Sequence, residues 1–317
     1  MHFLIWIAIG LAALLLICLL VALICFLLVF YSPKSKLPEG ENYEIPEGEI
    51  YEVFREDIKN WIMWIRQLPQ TQIEIKSDDG LTLRGTYYEY KPGAPIEILF
   101  HGYRGYAERD LNGGVERCFS LGRSALLVDQ RASGKSDGRV VTFGIKECRD
   151  CIRWIEEVSR RFGEEQEIII TGISMGAATV MMASGESDLP PNVVCCLADC
   201  GYTSAREILQ KVLREMKLPV WLFYPFIKLG ARLFGGFSLE SNSPMEAVKR
   251  SKVPMIFVHG DCDAFVPCEM SEQLYEACSS EIKDLHFVKD AGHGLAFPVE
   301  RDAYIASLAE FEKVWRK

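Results

Sequence analysis

The chain has 317 residues, of which 49% are hydrophobic and 25% are charged, and its formal net charge is −9. This composition is that of a globular protein and excludes a disordered chain, a collagen-like chain and a small disulfide scaffold. Every Lys, Arg, Asp and Glu follows residue 31, so the negative charge belongs to the later part of the chain. An acidic domain repels phosphate backbones, and nucleic acid is therefore not expected as a partner.

The first element in chain order is an apolar segment. Residues 3–30 carry no charged side chain. A helix of this length is about 42 Å long, enough to cross a hydrocarbon core of about 30 Å with tilt. A cleaved signal peptide is the alternative, but it requires a basic N-terminal region and a shorter apolar stretch. We predict a single-pass transmembrane anchor over 1–31 that takes no part in the chemistry, and a linker over 32–48 rich in Pro, Gly and Glu.

The flanking charges indicate how this helix is oriented. Lys34 and Lys36 follow it, whereas only the α-amino group precedes it. The positive-inside rule then places the main domain, residues 49–317, in the cytoplasm. The cysteines agree, because nine of the eleven, all but Cys18 and Cys25, follow the apolar segment, and an odd number does not suit a disulfide framework.

The main domain alternates short apolar strands with amphipathic helices. Period-two alternation at 73–76, a turn, and a second run at 81–88 predict an N-terminal hairpin. Further strands are predicted at 96–100, 125–129, 167–171, 193–199, 253–259 and 284–288, and helices at 145–162, 174–184, 203–216, 268–279 and 299–315. This alternation predicts an α/β fold with a mostly parallel central sheet and helices on both faces. Functional residues are expected at the carboxyl ends of the strands.

The strongest chemical signal is the segment Gly172-Ile173-Ser174-Met175-Gly176, which follows a predicted strand and opens a helix of small residues. The pattern G-x-S-x-G in this context is typical of a nucleophile elbow. Glycines flank the serine because the turn is crowded, and the helix N-terminus favours developing negative charge. We predict that Ser174 is a catalytic nucleophile.

A serine hydroxyl needs a general base that is oriented by a third group. His293 lies on a glycine-flanked loop after the last predicted strand, and we predict that it is the base. Asp263 follows the preceding strand and is the predicted acid, since serine, acid and histidine is the chain order of this kind of site. Asp199 and Asp261 also lie near strand ends and remain alternatives for the acid.

An acyl-transfer site also needs two backbone N–H groups that stabilise the oxyanion. The amide of Met175, directly after the nucleophile, is one predicted donor. The amide of Tyr103, in the glycine-rich loop after the strand at 96–100, is the other. The chain has no H-E-x-x-H motif and no histidine cluster, so we predict neither a metal nor another cofactor.

Five motifs in order resemble those of the α/β-hydrolase superfamily, in its branch of serine aminopeptidase-like and monoglyceride-lipase-like serine hydrolases. They are His101-Gly102, Asp129–Ser136, Gly172–Gly176, His259–Pro267 and Gly292-His293. The resemblance implies the α/β-hydrolase fold, acyl transfer through a Ser-His-Asp catalytic triad, and a helical lid, which falls at about 201–243. It does not imply a substrate, because the superfamily is broad.

The lid segment contains the aromatic residues Trp221, Phe223, Tyr224 and Phe226. They either wall an apolar acyl pocket or simply pack an inserted helix pair, and the sequence leaves both open. We predict a membrane-anchored serine esterase that acts on a small-molecule ester or acyl substrate, since no acidic cluster in the lid marks capture of a peptide N-terminus. The alternatives are a serine peptidase or amidase with the same triad, and a non-catalytic hydrolase fold used for binding.

Overall fold

A computed structural model describes residues 2–34 and 36–316. The strands are β1 (Thr71–Lys76), β2 (Thr82–Tyr88), β3 (Ile96–Phe100), β4 (Ser124–Asp129), β5 (Ile168–Ile173), β6 (Val193–Asp199), β7 (Met255–Gly260) and β8 (Lys283–Val288). The helices are α1 (His2–Val29), α2 (Glu49–Glu52), α3 (Arg55–Gln67), α4 (Ala107–Ser120), α5 (Glu147–Phe162), α6 (Met175–Ser184), α7 (Ala205–Glu215), α8 (Val220–Leu233), α9 (Pro244–Val248), α10 (Glu269–Ala277), α11 (Ala296–Val299) and α12 (Arg301–Trp315).

The strands form one sheet in the order β1-β2-β4-β3-β5-β6-β7-β8. The pairs β1–β2 and β2–β4 are antiparallel, and every later pair is parallel. Strands β3, β4 and β7 are buried along their whole length, as expected for a sheet covered on both faces. The predicted α/β fold with an N-terminal hairpin and a mostly parallel sheet is confirmed.

Two helical layers cover the sheet. Alternate residues of a strand face opposite sides, so Ile98 and Ile170 pack on one face together with α5 and α6. Leu99 and Ile169 face the other layer, which contains α3, α4 and α12. The sequence analysis did not predict α3 and α4, although both lie in this second layer.

Helix α1 has two unlike halves. It is long and apolar enough to cross a membrane, and residues 2–17 are all exposed. Further along the helix Ala22 and Phe26 are buried, and Phe30, just beyond its end, is 0% exposed. The ring of Phe30 packs edge-on against Phe143 and Phe237, at centroid distances of 5.8 and 5.3 Å. One face of the second half of α1 is therefore part of the core of the main domain.

Backbone contacts fix the end of α1 to the same domain. The Val141 amide donates a hydrogen bond of 2.9 Å to the Phe30 carbonyl, and the Ser32 amide donates one of 2.9 Å to the Arg139 carbonyl. Tyr31 forms an isolated antiparallel bridge with Val140. The chain therefore enters the domain before residue 32, where the sequence analysis begins a linker.

Candidate active site

Ser174 lies in the tight turn between β5 and α6. Its backbone has φ 57° and ψ −114°, a strained conformation for a residue with a side chain. The Ser174 amide donates a hydrogen bond of 2.8 Å to the Asp199 carbonyl at the end of β6. The turn thereby holds the serine side chain at the carboxyl edge of the sheet, directly before the N-terminus of a helix.

The two glycines of the turn are required by space. A Cβ atom on Gly172 would lie 2.0 Å from the carbonyl carbon of Gly176. A Cβ atom on Gly176 would lie 2.0 Å from the carbonyl oxygen of Phe100, at the end of β3. The glycines therefore allow the turn, the helix and the neighbouring strand to approach closely, which explains why they flank the serine.

A continuous chain of hydrogen bonds joins the serine to a histidine and a carboxylate. Ser174 Oγ lies 3.0 Å from His293 Nε2, and His293 Nδ1 lies 2.6 Å from Asp263 Oδ2. With the proton on Nδ1, the ring donates to the carboxylate and accepts from the serine hydroxyl. Ser174 and Asp263 are buried, and the His293 side chain is 15% exposed.

The Asp263 carboxylate is held from several directions. Its Oδ1 accepts hydrogen bonds of 2.8 Å from the amides of Phe265 and Val266, and its Oδ2 lies 3.2 Å from Nε2 of the buried His259. Burial alone would raise the pKa of Asp263, but the hydrogen bonds from His259 and His293 hold that pKa below its ordinary value. The carboxylate is therefore ionised and fixed at neutral pH.

The two alternative acids have other partners. Asp199 Oδ2 accepts a hydrogen bond of 2.9 Å from the Tyr304 hydroxyl, and burial raises the pKa of Asp199. Asp261 Oδ1 accepts a hydrogen bond of 2.7 Å from the Asp290 amide, which braces the loop that precedes His293. Of the three carboxylates considered in the sequence analysis, Asp263 is the one bonded to the His293 ring.

The predicted oxyanion donors lie in segments that adjoin Ser174. Met175 is the first residue of α6, so its amide has no acceptor within the helix. A Cβ atom on Gly102 would lie 3.7 Å from Ser174 Cβ, which puts the loop that carries Tyr103 against the serine. Within the part of the chain that the structure describes, neither the Met175 nor the Tyr103 amide donates a hydrogen bond.

Comparison with known proteins places this geometry in a family. The model of the prolyl oligopeptidase family matches residues 142–316, more than half of the 317-residue chain. The chain belongs to the prolyl oligopeptidase family. The family match makes it a serine hydrolase, esterase-like or peptidase-like, and the predictions of enzyme class and superfamily are confirmed.

Individual proteins are similar to most of the chain. The chain is 26% identical to the uncharacterized protein YqkD of Bacillus subtilis, over 77% of this chain and 80% of that protein. It is 21% identical to protein bem46 of Schizosaccharomyces pombe, over 76% and 75% of the two chains. The structure of the Pyrococcus furiosus esterase Pf2001 has a TM-score of 0.64 at 22% identity, covering 90% of this chain and 99% of that one, which shows the shared fold.

In this member of the prolyl oligopeptidase family, two unlike cavities meet at Ser174. The larger is about 620 Å³ and apolar, and it is lined mainly by residues of α1, α7 and α8. The smaller, about 190 Å³, is lined by Pro46, Ile173 and Phe265 as well as by the polar side chains of Tyr51, Arg109, Asp110 and His293. Ser174 therefore lies between a large apolar space and a small cleft whose wall contains polar side chains.

The four aromatic residues of the predicted lid have different environments. Phe223 lines the larger cavity. Trp221 is 78% exposed, and the Tyr224 hydroxyl donates a hydrogen bond of 2.7 Å to Glu240. Phe226 packs against the domain core. The expected aromatic wall is therefore reduced to Phe223, because a helix turns consecutive residues to different sides.

Most of the cavity wall was not predicted. Val21, Ile24 and Leu28 of α1 line it, although the sequence analysis assigned this helix only to anchoring. The length of the apolar run was the one feature of the sequence that could have indicated this second role. A helix of about 42 Å is about 12 Å longer than a hydrocarbon core of about 30 Å, which corresponds to roughly eight residues. The surplus corresponds in size to the packed segment 22–30.

Proposed function

We propose that the protein is a membrane-anchored serine hydrolase that cleaves carboxylic esters through Ser174, His293 and Asp263. The observation that carries this proposal is the unbroken hydrogen-bonded chain from Ser174 Oγ through His293 to Asp263. A serine oriented by a histidine, itself oriented by a buried carboxylate, is the arrangement that activates a hydroxyl for acyl transfer. The inferred reaction proceeds through an acyl-enzyme.

In the first half-reaction, Ser174 Oγ attacks the ester carbonyl carbon while His293 Nε2 takes the hydroxyl proton. Asp263 holds Nδ1–H and stabilises the positive charge that forms on the ring. The amides of Tyr103 and Met175 donate to the oxyanion of the tetrahedral intermediate. As this intermediate collapses, the bond to the leaving oxygen breaks, and His293 returns the proton to the departing alcohol.

In the second half-reaction, water attacks the acyl-enzyme. His293 removes a proton from the water, the same two amides stabilise the second oxyanion, and Ser174 leaves as the protonated hydroxyl. The carboxylic acid is the second product. No cofactor is required for either step, because proton transfer and oxyanion stabilisation come from the chain itself.

A serine peptidase is the second candidate function, and the match to the prolyl oligopeptidase family favours it. We prefer esters because the larger cavity beside Ser174 is apolar and lined by residues such as Ile208, Leu209 and Phe223. A cavity of this kind accepts a hydrocarbon chain better than a peptide backbone, whose polar groups it leaves without partners. Parallel assays with matched esters, anilides and peptides separate the two functions.

The proposed anchor is the exposed first half of α1. A span of about 20 residues suffices for a bilayer, so we assign the part of α1 up to residue 20 to the membrane and 21–31 to the hydrolase domain. The lysines that follow the helix favour a cytoplasmic domain. Protease protection in intact and permeabilised cells tests this orientation, since a cytoplasmic domain is cleaved only after permeabilisation.

Labelling with a fluorophosphonate tests the nucleophile. The probe phosphonylates an activated serine, so the wild-type chain is expected to label and Ser174→Ala is not. Ser184, buried at the far end of the helix α6 that Ser174 precedes, provides a matched control, and Ser184→Ala is expected to label like the wild type. Labelling of Ser174→Ala at the wild-type rate would refute the assignment.

A further inference from the structure

The larger cavity is walled on one side by α1. Val21, Ile24 and Leu28 lie three and four residues apart, so they form one stripe along the helix and all three line the cavity. Ile24 and Leu28 are also 47% and 68% exposed. The cavity therefore opens to the outside along α1, rather than being closed within the domain.

Helix α8 packs against α1 and runs parallel to it. A Cβ atom on Gly230 would lie 2.5 Å from the Ala22 carbonyl oxygen, and the Phe234 ring lies 5.8 Å from that of Phe26. Both helices therefore advance in the same direction where they touch. The N-terminal end of α8 consequently points back toward the exposed, apolar first half of α1.

The first turn of α8 and the turn that precedes it carry exposed apolar side chains at this end. Trp221 is 78% exposed, Met216 is 63% exposed and Leu222 is 39% exposed. Met216 lines the cavity as well. An exposed apolar patch marks an interaction surface, and this patch continues the apolar surface of α1, which is long and apolar enough to lie in a bilayer. A lipid membrane is the partner that suits both surfaces at once.

The chemistry of the two cavities defines the two parts of a substrate. The apolar cavity, at about 620 Å³, has the size of a typical small-molecule site and offers few groups that could bind a polar chain. The cleft on the other side of Ser174 is about 190 Å³ and contains Arg109 and Asp110, paired at 2.7 Å. An ester placed across Ser174 thus has a hydrocarbon arm and a small polar arm.

We infer that α1 is a wall of the acyl site as well as an anchor, and that the substrate is an ester of a long-chain acid with a small polar alcohol, drawn from the membrane along α1. This inference rests on the proposed esterase function. Val21, Ile24 and Leu28 then contact the acyl chain, and the patch of Met216, Trp221 and Leu222 holds the cavity mouth against the bilayer.

A larger side chain in the cavity wall tests whether the cavity binds the acyl chain. The full-length protein in detergent micelles is assayed with p-nitrophenyl acetate and p-nitrophenyl dodecanoate. Ile24→Trp is expected to lower kcat/KM for the dodecanoate by about tenfold or more, equivalent to about two lost methylene contacts, with little effect on the acetate. Leu15→Trp, exposed on the opposite face of the same helix and outside the cavity, is the matched control and is expected to leave both rates unchanged.

The outcomes separate the two levels of the proposal. Hydrolysis of the acetate without any selective loss on the dodecanoate in Ile24→Trp would overturn the acyl wall and leave the esterase function intact. Failure of the wild type to cleave either ester, together with cleavage of peptides, would overturn the proposed function itself. An equal loss on both esters would mean that α1 supports folding only, which also contradicts the acyl wall.

A second measurement tests access from the membrane. Wild type and Trp221→Glu are reconstituted into phosphatidylcholine vesicles that contain a long-chain monoacylglycerol, and the rates are compared with those in detergent. The charge is expected to lower the ratio of vesicle rate to detergent rate several-fold, because it withdraws the cavity mouth from the bilayer. An unchanged ratio would refute the membrane route.

Discussion

The two sides of Ser174 are built by different means. On the polar side, the positions of His293 and Asp263 are set by hydrogen bonds of 2.6–3.2 Å, several of them to backbone amides. On the apolar side, helices α1, α7 and α8 meet through side-chain packing. Hydrogen bonds have narrow geometric limits, whereas apolar packing tolerates replacement at similar volume. In the proposed function, the strand ends therefore fix the catalytic groups, and the three helices determine which acyl chain is accepted.

The largest expected effect concerns the acid on the polar side. Asp263→Asn is expected to fold and to lose about 10⁴-fold in kcat, because an amide no longer holds the histidine in the required tautomer. Asp199→Asn is the matched control, since Asp199 bonds to Tyr304 and only its backbone carbonyl touches Ser174. Steady-state ester hydrolysis measures both variants.

The reverse pattern, a small loss in Asp263→Asn and a large one in Asp199→Asn, would transfer the role of the acid to β6. Circular dichroism of both variants provides the control for folding. Because Asp263 is the carboxylate that touches the His293 ring at 2.6 Å, that reverse pattern would contradict the proposed triad.

On the apolar side, the largest effect is expected at the end of α1. Phe30→Ala removes a fully buried ring that contacts Phe143 and Phe237, and the expected loss in free energy of unfolding is about 3–5 kcal/mol. Leu15→Ala, on the exposed half of the same helix, is expected to change it by less than about 0.5 kcal/mol. Urea unfolding in detergent, followed by tryptophan fluorescence, measures both.

Similar losses for the two variants would mean that α1 does not have two unlike halves. The same contrast predicts the effect of truncation. A chain that starts after residue 33 lacks Phe26 and Phe30, and its core is expected to be destabilised by the apolar gap that they leave. Removal of 2–17 alone is expected to be much better tolerated, since those side chains are exposed.

A buried charge cluster stabilises the strand that leads to the Tyr103 loop. Glu97 on β3 is 0% exposed and pairs with Arg117 and Arg123. Glu97→Gln removes the carboxylate that pairs with the buried Arg117 and leaves Arg123 paired with Glu312 alone, and we expect a loss of about 3 kcal/mol in the free energy of unfolding at pH 7. Glu74→Gln provides the exposed control, because Glu74 pairs with Arg84 at the surface, and it is expected to cost at most about 1 kcal/mol.

The effect at Glu97 depends on pH. Burial alone would raise the pKa of Glu97, but the charges of Arg117 and Arg123 lower it to about 2. A carboxyl whose folded-state pKa lies below its unfolded value of about 4.3 stabilises the protein above that value. The stability difference between wild type and Glu97→Gln is therefore expected to be constant from pH 7 to about 5, and to shrink as the pH falls from about 4 toward 2. A difference that grows on acidification would contradict this assignment.

The turn and the strands that position Ser174 could be predicted from the sequence because their signals are local. Gly172 and Gly176 are required by atoms within the turn and the adjacent strand, so the spacing alone indicates the elbow. The strands were predicted nearly to the residue, since a buried parallel strand is a continuous apolar run. Helix α4 was missed, because Gly113 and Gly114 interrupt its centre, and glycine disfavours helix by about 1 kcal/mol.

The apolar side could not be predicted in the same way. An apolar helix has no internal mark that distinguishes a face toward lipid from a face toward a protein core, since both are made of the same residue types. Phe26 and Phe30 are buried only because α8 and the segment 139–141 reach them through the fold. Only the surplus length of the apolar run indicated that part of it lay outside the bilayer.

The smallest expected effect separates two neighbouring aromatic residues of α8. Phe223 lines the cavity and Trp221 is exposed, so Phe223→Ala is expected to lower kcat/KM for a dodecanoyl ester by about tenfold, or about 1.4 kcal/mol. Trp221→Ala is expected to have less than a twofold effect when both ester and enzyme are in detergent. Acetyl esters, which do not reach the wall, are expected to be cleaved by both variants at similar rates. Equal losses in kcat/KM at the two positions would mean that both residues only stabilise the lid. The apolar cavity would then have no role in selecting the acyl chain.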